Sequence, residues 1–389
     1  MRGRGRRKQI PQQSWSGEPT FARETLERRW YRRTEFVDAL APLVTATGRA
    51  EEPFHRWLPF KLAFSPELVR RFLSQHALAA DQKQPAPLLD PFCGAGTFVI
   101  ECARQGVPTR GIEASEALVY VARSTGADGW PDPPDLSDCP TWQDAAQRLT
   151  QPIHRCALIC AVTRQHAGDG HLNKSAPPLL DVWSDVLQMM NDDLRQPLPI
   201  KPDVIPGDGR QLSDIPDASI RGILTSPPYL SRHDYTRVTR PAETVYRYWH
   251  LGRALHERRD DQIRAHPRAY ARDWSGRPHP AVAEACEALL AVDQPKLAGV
   301  VRSYFEDLNQ ALAQCHRVLA PGAPFWMVIG GARFKDIYVP SDTILADLAE
   351  TIGLTVHSIR VARRLTPGGR KLGSLPNVAP RESILVMHK

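Results

Sequence analysis

No stretch of the 389-residue sequence approaches eighteen consecutive apolar residues, so no segment is long enough to cross a membrane as a helix. The N-terminus carries charge without the apolar run of a secretory signal, and a soluble, cytoplasmic chain is expected. The 7 cysteines are odd in number and scattered, with no C-x-x-C pair. That pattern encodes neither a disulfide framework nor structural zinc, so no metal ligands are assigned and a reducing compartment fits best. Cys156 and Cys160, separated by Ala157, Leu158 and Ile159, read as small buried hydrophobes. No G-x-x-x-x-G-K-[ST] sequence occurs, which argues against triphosphate binding, and there is no internal repeat.

What is present is an apolar share of 42%, enough for one large domain or two medium ones at this length. Lys and Arg total 50 against 43 Asp and Glu, a formal charge of +7 with a pI near 9.1, which suits a polyanionic partner. Arg2, Arg4, Arg6, Arg7 and Lys8 crowd the first eight residues with two glycines between them. Such an arm is expected to be disordered and able to track phosphates, the plainer reading being a solvated tail. The 35 prolines lie between periodic segments and punctuate them.

Residues 18 to 50 read as a helical stretch rich in Arg and Glu, followed by a turn-like segment around Gly48 to Pro53. With the arm they form an N-terminal extension, 1–53, ahead of an α/β domain over 54–389. Ser65-Pro66-Glu67 opens a helix, with Ser65 as N-cap, Pro66 at the first helical position and Leu68, Phe72 and Leu73 as its apolar stripe. Leu88-Leu89 is a short buried strand leading into Asp90 to Thr97, and a helix from Phe98 to Gln105 follows. Residues 107 to 113 form a second strand ending on Glu113, with the next helix from about Ser115 to Ser124. Alternating strand and helix means a parallel sheet.

The Pro- and Asp-rich run 126 to 140 breaks that rhythm, and an insert over about 126–200 is expected to be helical. The alternation resumes at Asp203 to Gly207. Ile220 to Thr225 is a further strand, delivering Ser226-Pro227-Pro228-Tyr229 to a loop where two prolines forbid continued pairing. A second insert, 231–300, is Arg-, Tyr- and Trp-rich helix and loop. An amphipathic helix from Val301 to Val318, a Pro321-Gly322 turn, a strand Phe325 to Ile329 and strands near 354 to 361 and 383 to 387 complete the chain.

Two segments carry chemistry. A buried strand, an acidic residue, a glycine-rich turn and a helix bring a nucleotide-like ligand against backbone amides, and Gly94 and Gly96 allow that close approach. The turn is not G-x-G-x-x-G, so dinucleotides are disfavoured. Glu113, some twenty residues on at a strand end, can accept both hydroxyls of a ribose. The second segment is Ser226-Pro227-Pro228-Tyr229. An exocyclic amine on a base is a poor nucleophile because its lone pair is delocalised, so acceptors must hold its hydrogens and orient the nitrogen. The Ser226 hydroxyl and the Pro227 carbonyl can supply them, the prolines pre-organise the loop, and Tyr229 can stack on a flipped base.

Asp90-Pro91-Phe92-Cys93-Gly94-Ala95-Gly96-Thr97 resembles the D-P-F-x-G-[SA]-G-T cofactor motif of the DNA amino-methyltransferases, and Thr225-Ser226-Pro227-Pro228-Tyr229 resembles their T-S-P-P-Y catalytic motif. The resemblance implies a class I, Rossmann-like methyltransferase fold: a mostly parallel seven-stranded sheet flanked by helices, over 54–389 with inserts. It implies S-adenosylmethionine as cofactor, DNA as partner and a nucleoid-associated location, and it leaves open a cognate restriction or defence nuclease as a further partner. Phe64-Ser65-Pro66-Glu67-Leu68 is similar to the family's helix-opening motif that closes over the methionine end, although Ala63 stands where a lysine is common. Gly207-Asp208-Gly209-Arg210 falls where the family places an acidic residue near the adenine amino group, a role carried to Asp208. Phe64, Asp90, Phe92, Gly94, Gly96, Thr97, Glu113 and Asp208 are thus the expected cofactor residues, and Ser226, Pro227, Pro228 and Tyr229 the catalytic ones.

Serine at the first position of the tetrapeptide resembles the cytosine-N(4) subgroup, whereas Asp or Asn there is the usual adenine-N(6) pattern. The order of the two motifs argues the other way, since many S-P-P-Y enzymes run from catalytic to cofactor motif. Transfer is expected to be direct and in-line. Carbon-5 cytosine methylation needs a cysteine after a proline, and none of the 7 cysteines has one; Cys93 reads as a packing residue. Arg232, His233, Tyr235, Arg237, Arg240, Tyr246, Arg247, Tyr248 and Trp249 mix cations with aromatics, as a DNA-gripping surface requires. The plainer reading of the same residues is a helix with a solvated basic face and core aromatics. The alternatives are an adenine-N(6) enzyme, an RNA base amino-methyltransferase, for which D-P-P-Y is commoner, and a non-catalytic DNA-binding subunit, in which one motif should have decayed.

Overall fold

The computed structural model describes residues 21–78, 86–166, 173, 175–230, 234–250, 262–267, 276–334, 336–365 and 380–389. The basic arm, Arg232 and His233 lie outside the described residues. The strands are β1 (Thr34–Phe36), β2 (Leu88–Asp90), β3 (Thr109–Glu113), β4 (Asp203–Pro206), β5 (Ile223–Thr225), β6 (Pro324–Gly330), β7 (Ala332–Phe334), β8 (Ile337–Val339), β9 (Thr355–Arg364) and β10 (Arg381–His388). The helices are α1 (Ala22–Trp30), α2 (Pro66–Gln75), α3 (Thr97–Arg104), α4 (Glu116–Ser124), α5 (Trp142–Arg148), α6 (Pro152–Arg164), α7 (Leu179–Leu194), α8 (Tyr235–Trp249), α9 (Pro280–Ala291), α10 (Pro295–Val318) and α11 (Ser341–Ile352). The chain forms two compact units, one of Thr45–Gly209 and Tyr235–Gln262, the other of Met1–Val44, Arg210–Asp234 and Ile263–Lys389.

The first, here the glycine-turn unit, holds β2, β3 and β4 as a parallel ladder in which Asp90 pairs with Gly111 and Glu113 with Pro206. Leu88 and Leu89 are fully buried, as a strand covered on both faces requires. The helix α2 starts as its sequence dictates: Ser65 Oγ accepts from the Glu67 amide at 3.3 Å and Pro66 occupies the first turn. The expected insert over 126–200 contains α5, α6 and α7. The middle of α6, with Cys156, Leu158, Ile159 and Cys160, is completely buried in a core shared with α7 and with Val245 of α8. A helix apolar all round is a core helix.

The second, the proline-loop unit, orders its strands β1-β9-β10-β6-β5. β1 is parallel to β9 and β5 to β6, whereas β10 is antiparallel to both neighbours. Helix α10 buries Val301, Tyr304, Phe305, Leu308, Leu312 and Cys315, the three-and-four spacing of an amphipathic face. It begins at Pro295, six residues ahead of its expected start, because Pro295 at its first position suits a helix opening.

Across the two units eight strands carry the mostly parallel α/β pattern, one more than the seven expected. The addition is β1, and it corrects the expected helix over 18–50. Among the described residues there, only Ala22–Trp30 is α-helical; Thr34–Phe36 leaves the helix to pair with Ile359–Val361. Tertiary pairing outweighs the helix propensity of the flanking Arg and Glu. The β7–β8 hairpin and α11 were not anticipated. Among the described residues no helix is long and apolar enough to cross a membrane.

Candidate functional site

In the glycine-turn unit the chain leaves β2 at Asp90, whose buried carboxylate accepts from the Phe92 amide at 3.1 Å. Gly94 (φ 53°) and Gly96 (φ 80°) take the left-handed conformation, and Gly96 caps α3. A Cβ on Gly94 would stand 3.2 Å from the Phe60 ring. The Phe60 ring, which sequence reasoning missed, thus lies on the turn, and Phe64 is buried ahead of α2. The Thr97 hydroxyl is buried without a hydrogen-bond partner.

Glu113, at the end of β3, joins the turn to α4. Its Oε2 accepts from Gly94 N and its Oε1 from Ser115 N, each at 2.8 Å. Burial, with added repulsion from Glu243, lifts its carboxyl to about 7 against those two stabilising amides. Gly207 N donates to the Glu113 carbonyl at 3.0 Å, so the chain carrying Asp208 runs beside Glu113. Gly209 then approaches the turn closely: a Cβ would fall 2.5 Å from Pro91 O and 2.6 Å from the Phe92 ring. Asp90, Phe92, Gly94, Gly96, Thr97, Glu113 and Asp208 therefore share one region at the carboxyl ends of β2, β3 and β4, where parallel sheets bind ligands.

The buried Glu243 of α8 also reaches this region. Ser115 caps α4 and donates its hydroxyl to Glu243 Oε1 at 2.5 Å. Its neighbours on α8 divide between the two readings of the segment. Tyr246 stacks on His250 with centroids 4.5 Å apart and meets Tyr120, and Trp249 bonds the Ala146 carbonyl, all as packing residues. Arg240 and Tyr248 are exposed, and Tyr235, Arg237 and Arg247 are partly so.

In the proline-loop unit, β5 ends on the fully buried Thr225 and delivers Ser226, Pro227, Pro228 and Tyr229. Pro227 is buried, and the Pro228 carbonyl accepts from Tyr304 Oη of α10 at 3.0 Å, so the loop is pinned from below. Tyr229 is fixed twice. Its ring lies on Gly330, where a Cβ would be 2.7 Å away, and its hydroxyl donates to Glu382 Oε1 at 2.8 Å. Ser226 Oγ donates to Tyr229 Oη at 3.4 Å. Tyr304, Gly330 and Glu382 were not foreseen. The one available signal was Glu382 itself, an acid at the head of the apolar run Ile384 to Met387.

Residues 75–130, which include the glycine turn and Glu113, match the UPF0020 family model, described as RMKL-like, methyltransferase domain. The chain is similar to the type II methyltransferase M.AvaI of Nostoc sp. and to the protein of the same name in Anabaena variabilis. Each is 22% identical over 440 aligned positions, which cover 87% of this chain and 87% of the relative. A stretch of 63 residues, 16% of either chain, is 33% identical to the 23S rRNA (uracil(747)-C(5))-methyltransferase RlmC of Shewanella amazonensis. With the α/β architecture, these likenesses make the chain a methyltransferase.

Proposed function

We propose that this methyltransferase acts on DNA, placing the methyl group of S-adenosylmethionine directly on N(4) of a cytosine flipped out of the duplex. The observation that carries the reading is the Ser226–Tyr229 loop, in which a hydroxyl, a rigid pair of prolines and a clamped aromatic ring are set together at a strand end. Ser226 Oγ and the Pro227 carbonyl hold the amino hydrogens, and Tyr229 stacks on the base. Similarity to a type II methyltransferase over most of both chains supports DNA as the substrate. The serine, where adenine enzymes of the resembled family carry Asp or Asn, supports cytosine. The reading leaves open a cognate restriction or defence nuclease as a further partner.

The glycine-turn unit fits the cofactor. The Glu113 carboxylate accepts from the backbone of Gly94, Ser115 and Ala114, and of its roughly four acceptor sites one is left for a ribose hydroxyl. Gly94, Gly96 and Gly209 leave the turn bare of Cβ atoms, and the unpartnered Thr97 hydroxyl adds a polar group. Asp208 is assigned to the adenine amino group, and Phe64, Asp90 and Phe92 to the methionine end and the wall. When bound, the cofactor supplies an electrophilic methyl on sulfur.

Carbon methylation fits less well, because its nucleophile is a thiolate. Burial raises the Cys93 and Cys156 thiols well above their ordinary value and the Cys286 thiol to about 11. The test is incubation of the purified protein with isotope-labelled S-adenosylmethionine and methyl-free plasmid DNA, followed by mass spectrometry of the nucleosides. N(4)-methylcytosine is expected. N(6)-methyladenine would overturn the base assignment, and label entering RNA alone would overturn the substrate.

A further inference from the structure

We infer that Glu382 is a positioning residue which makes the Ser226 hydroxyl an obligate hydrogen-bond acceptor toward the target, so that the loop selects a base position bearing hydrogens. The inference rests on reading Ser226–Tyr229 as the catalytic loop and adds what decides its polarity. A hydroxyl carries one hydrogen and two acceptor lone pairs, and by itself can face a ligand as either donor or acceptor. An unconstrained serine would hold a ring carbonyl as readily as an amine.

The constraint comes from the far end of the chain of contacts. Glu382 Oε2 receives Arg363 Nε at 2.5 Å and Oε1 receives Tyr229 Oη at 2.8 Å. A guanidinium only donates, and a carboxylate paired with it only accepts. Tyr229 must then spend its single hydrogen on Glu382, leaving its oxygen to accept from Ser226. Ser226 in turn spends its hydrogen on Tyr229, 3.4 Å away. What Ser226 Oγ retains for a ligand is lone pairs alone. The exocyclic amine of cytosine or adenine presents hydrogens to them; a carbonyl oxygen presents none and is repelled.

Two features of β10 indicate that this aim is built in. Glu382 is 3% exposed, and a buried carboxylate is costly unless its oxygens are used. A cross-strand ion pair with Arg363 would engage only one of them. The pairing of β9 with β10 shifts register between Glu382 and Ser383, an irregularity of the kind that redirects a side chain. On the other edge of β10, Glu382 is paired with Gly330, the residue on which the Tyr229 ring rests. One position of β10 thus meets both the ring and the hydroxyl of Tyr229.

The experiment is a double-mutant cycle in single-turnover methylation of methyl-free plasmid DNA at saturating S-adenosylmethionine. Glu382→Gln replaces an obligate acceptor with a group that can also donate, and Tyr229→Phe keeps the ring while cutting the chain. Each is expected to slow methyl transfer about tenfold to a hundredfold, the scale of one charge-assisted hydrogen bond, while DNA affinity holds within about twofold. In the Ser226→Ala background both are expected to be silent, since the chain acts only through Ser226. Wild-type rates in Glu382→Gln, or a loss that multiplies that of Ser226→Ala, would overturn the inference. A second readout needs no substrate: with tyrosine labelled at Cζ, the Tyr229 resonance is expected to move in opposite senses in Ser226→Ala and in Glu382→Gln. A protein that labels no DNA yet keeps this pattern would sink the proposed function and not the hydrogen-bond direction. A protein that methylates cytosine or adenine without the pattern would sink this inference alone.

Discussion

Ser226 and Tyr229 lie three residues apart on one loop, yet their losses are expected to differ. On the proposed role of Ser226, its hydrogen bond from the amine would strengthen as the nitrogen becomes tetrahedral, so Ser226→Ala should cut turnover while leaving cofactor and duplex affinity nearly intact. If Tyr229 stacks on the base as proposed, Tyr229→Ala would remove ~1–3 kcal/mol of stacking and should weaken capture of the base as well as the rate. Parallel measurements of single-turnover rate and DNA affinity separate the two, and a wild-type rate in Ser226→Ala would end its assignment. Glu113 carries a second expectation at this scale. Its carboxyl sits near 7 in the folded protein against 4.5 for the ordinary group. A raised carboxyl binds its proton more tightly when folded, so its contribution to stability is present below about 4.5 and is lost as the pH rises through about 7. With Glu113 assigned to the ribose as proposed, cofactor binding should run the opposite way, because the hydroxyls would donate to the ionised form: affinity should be full above about 7 and fall with decreasing pH. Calorimetry across pH 6 to 8 checks this, and in Glu113→Gln that part of the pH dependence should vanish.

At the scale of elements, the turn between β2 and α3 depends on a neighbour distant in sequence. Gly209, just past β4, passes so close to Pro91 O that a Cβ would stand 2.5 Å from it. Backbone cannot give way as a flexible side chain can. Gly209→Ala should therefore displace the turn and weaken S-adenosylmethionine binding by about tenfold or more, at a stability cost of about 1–3 kcal/mol from overpacking. Titration calorimetry and denaturant melts read the two separately, and unchanged affinity would show that the turn tolerates the shift. Gly94→Val should do more, since φ is 53° there and Phe60 lies 3.2 Å from the added Cβ; loss of binding by a folded protein is expected. The start of α2 at Ser65-Pro66, the strand into Asp90 and the arrival of β5 at Ser226 were all legible, because caps, glycine turns and apolar runs are local signals. β1 was not: its three residues are strand only because Ile359 to Val361 lie beside them.

For the whole molecule, the excess of positive charge makes a prediction that rests on neither motif. If Arg2, Arg4, Arg6, Arg7 and Lys8 neutralise phosphates, deleting residues 1–8 should flatten the salt dependence of DNA binding by up to ~0.9 in log–log slope per cation. An identical slope with and without the arm would make it a solvated tail. The chain as a sequence determined its α/β class, the glycine turn with Glu113 a strand later, and the S-P-P-Y loop. Each depends on residues within a few positions of one another, where backbone sterics and periodicity act directly. The tertiary structure alone decided which groups complete those motifs. Tyr229 meets Glu382 across 153 residues, Ser115 meets Glu243 across 128, and the ring lying on Gly94 is that of Phe60. Burial of apolar surface is non-directional and does not specify such pairs in advance. They are set only when packing removes water from particular polar atoms, each of which must then find a partner within hydrogen-bond reach.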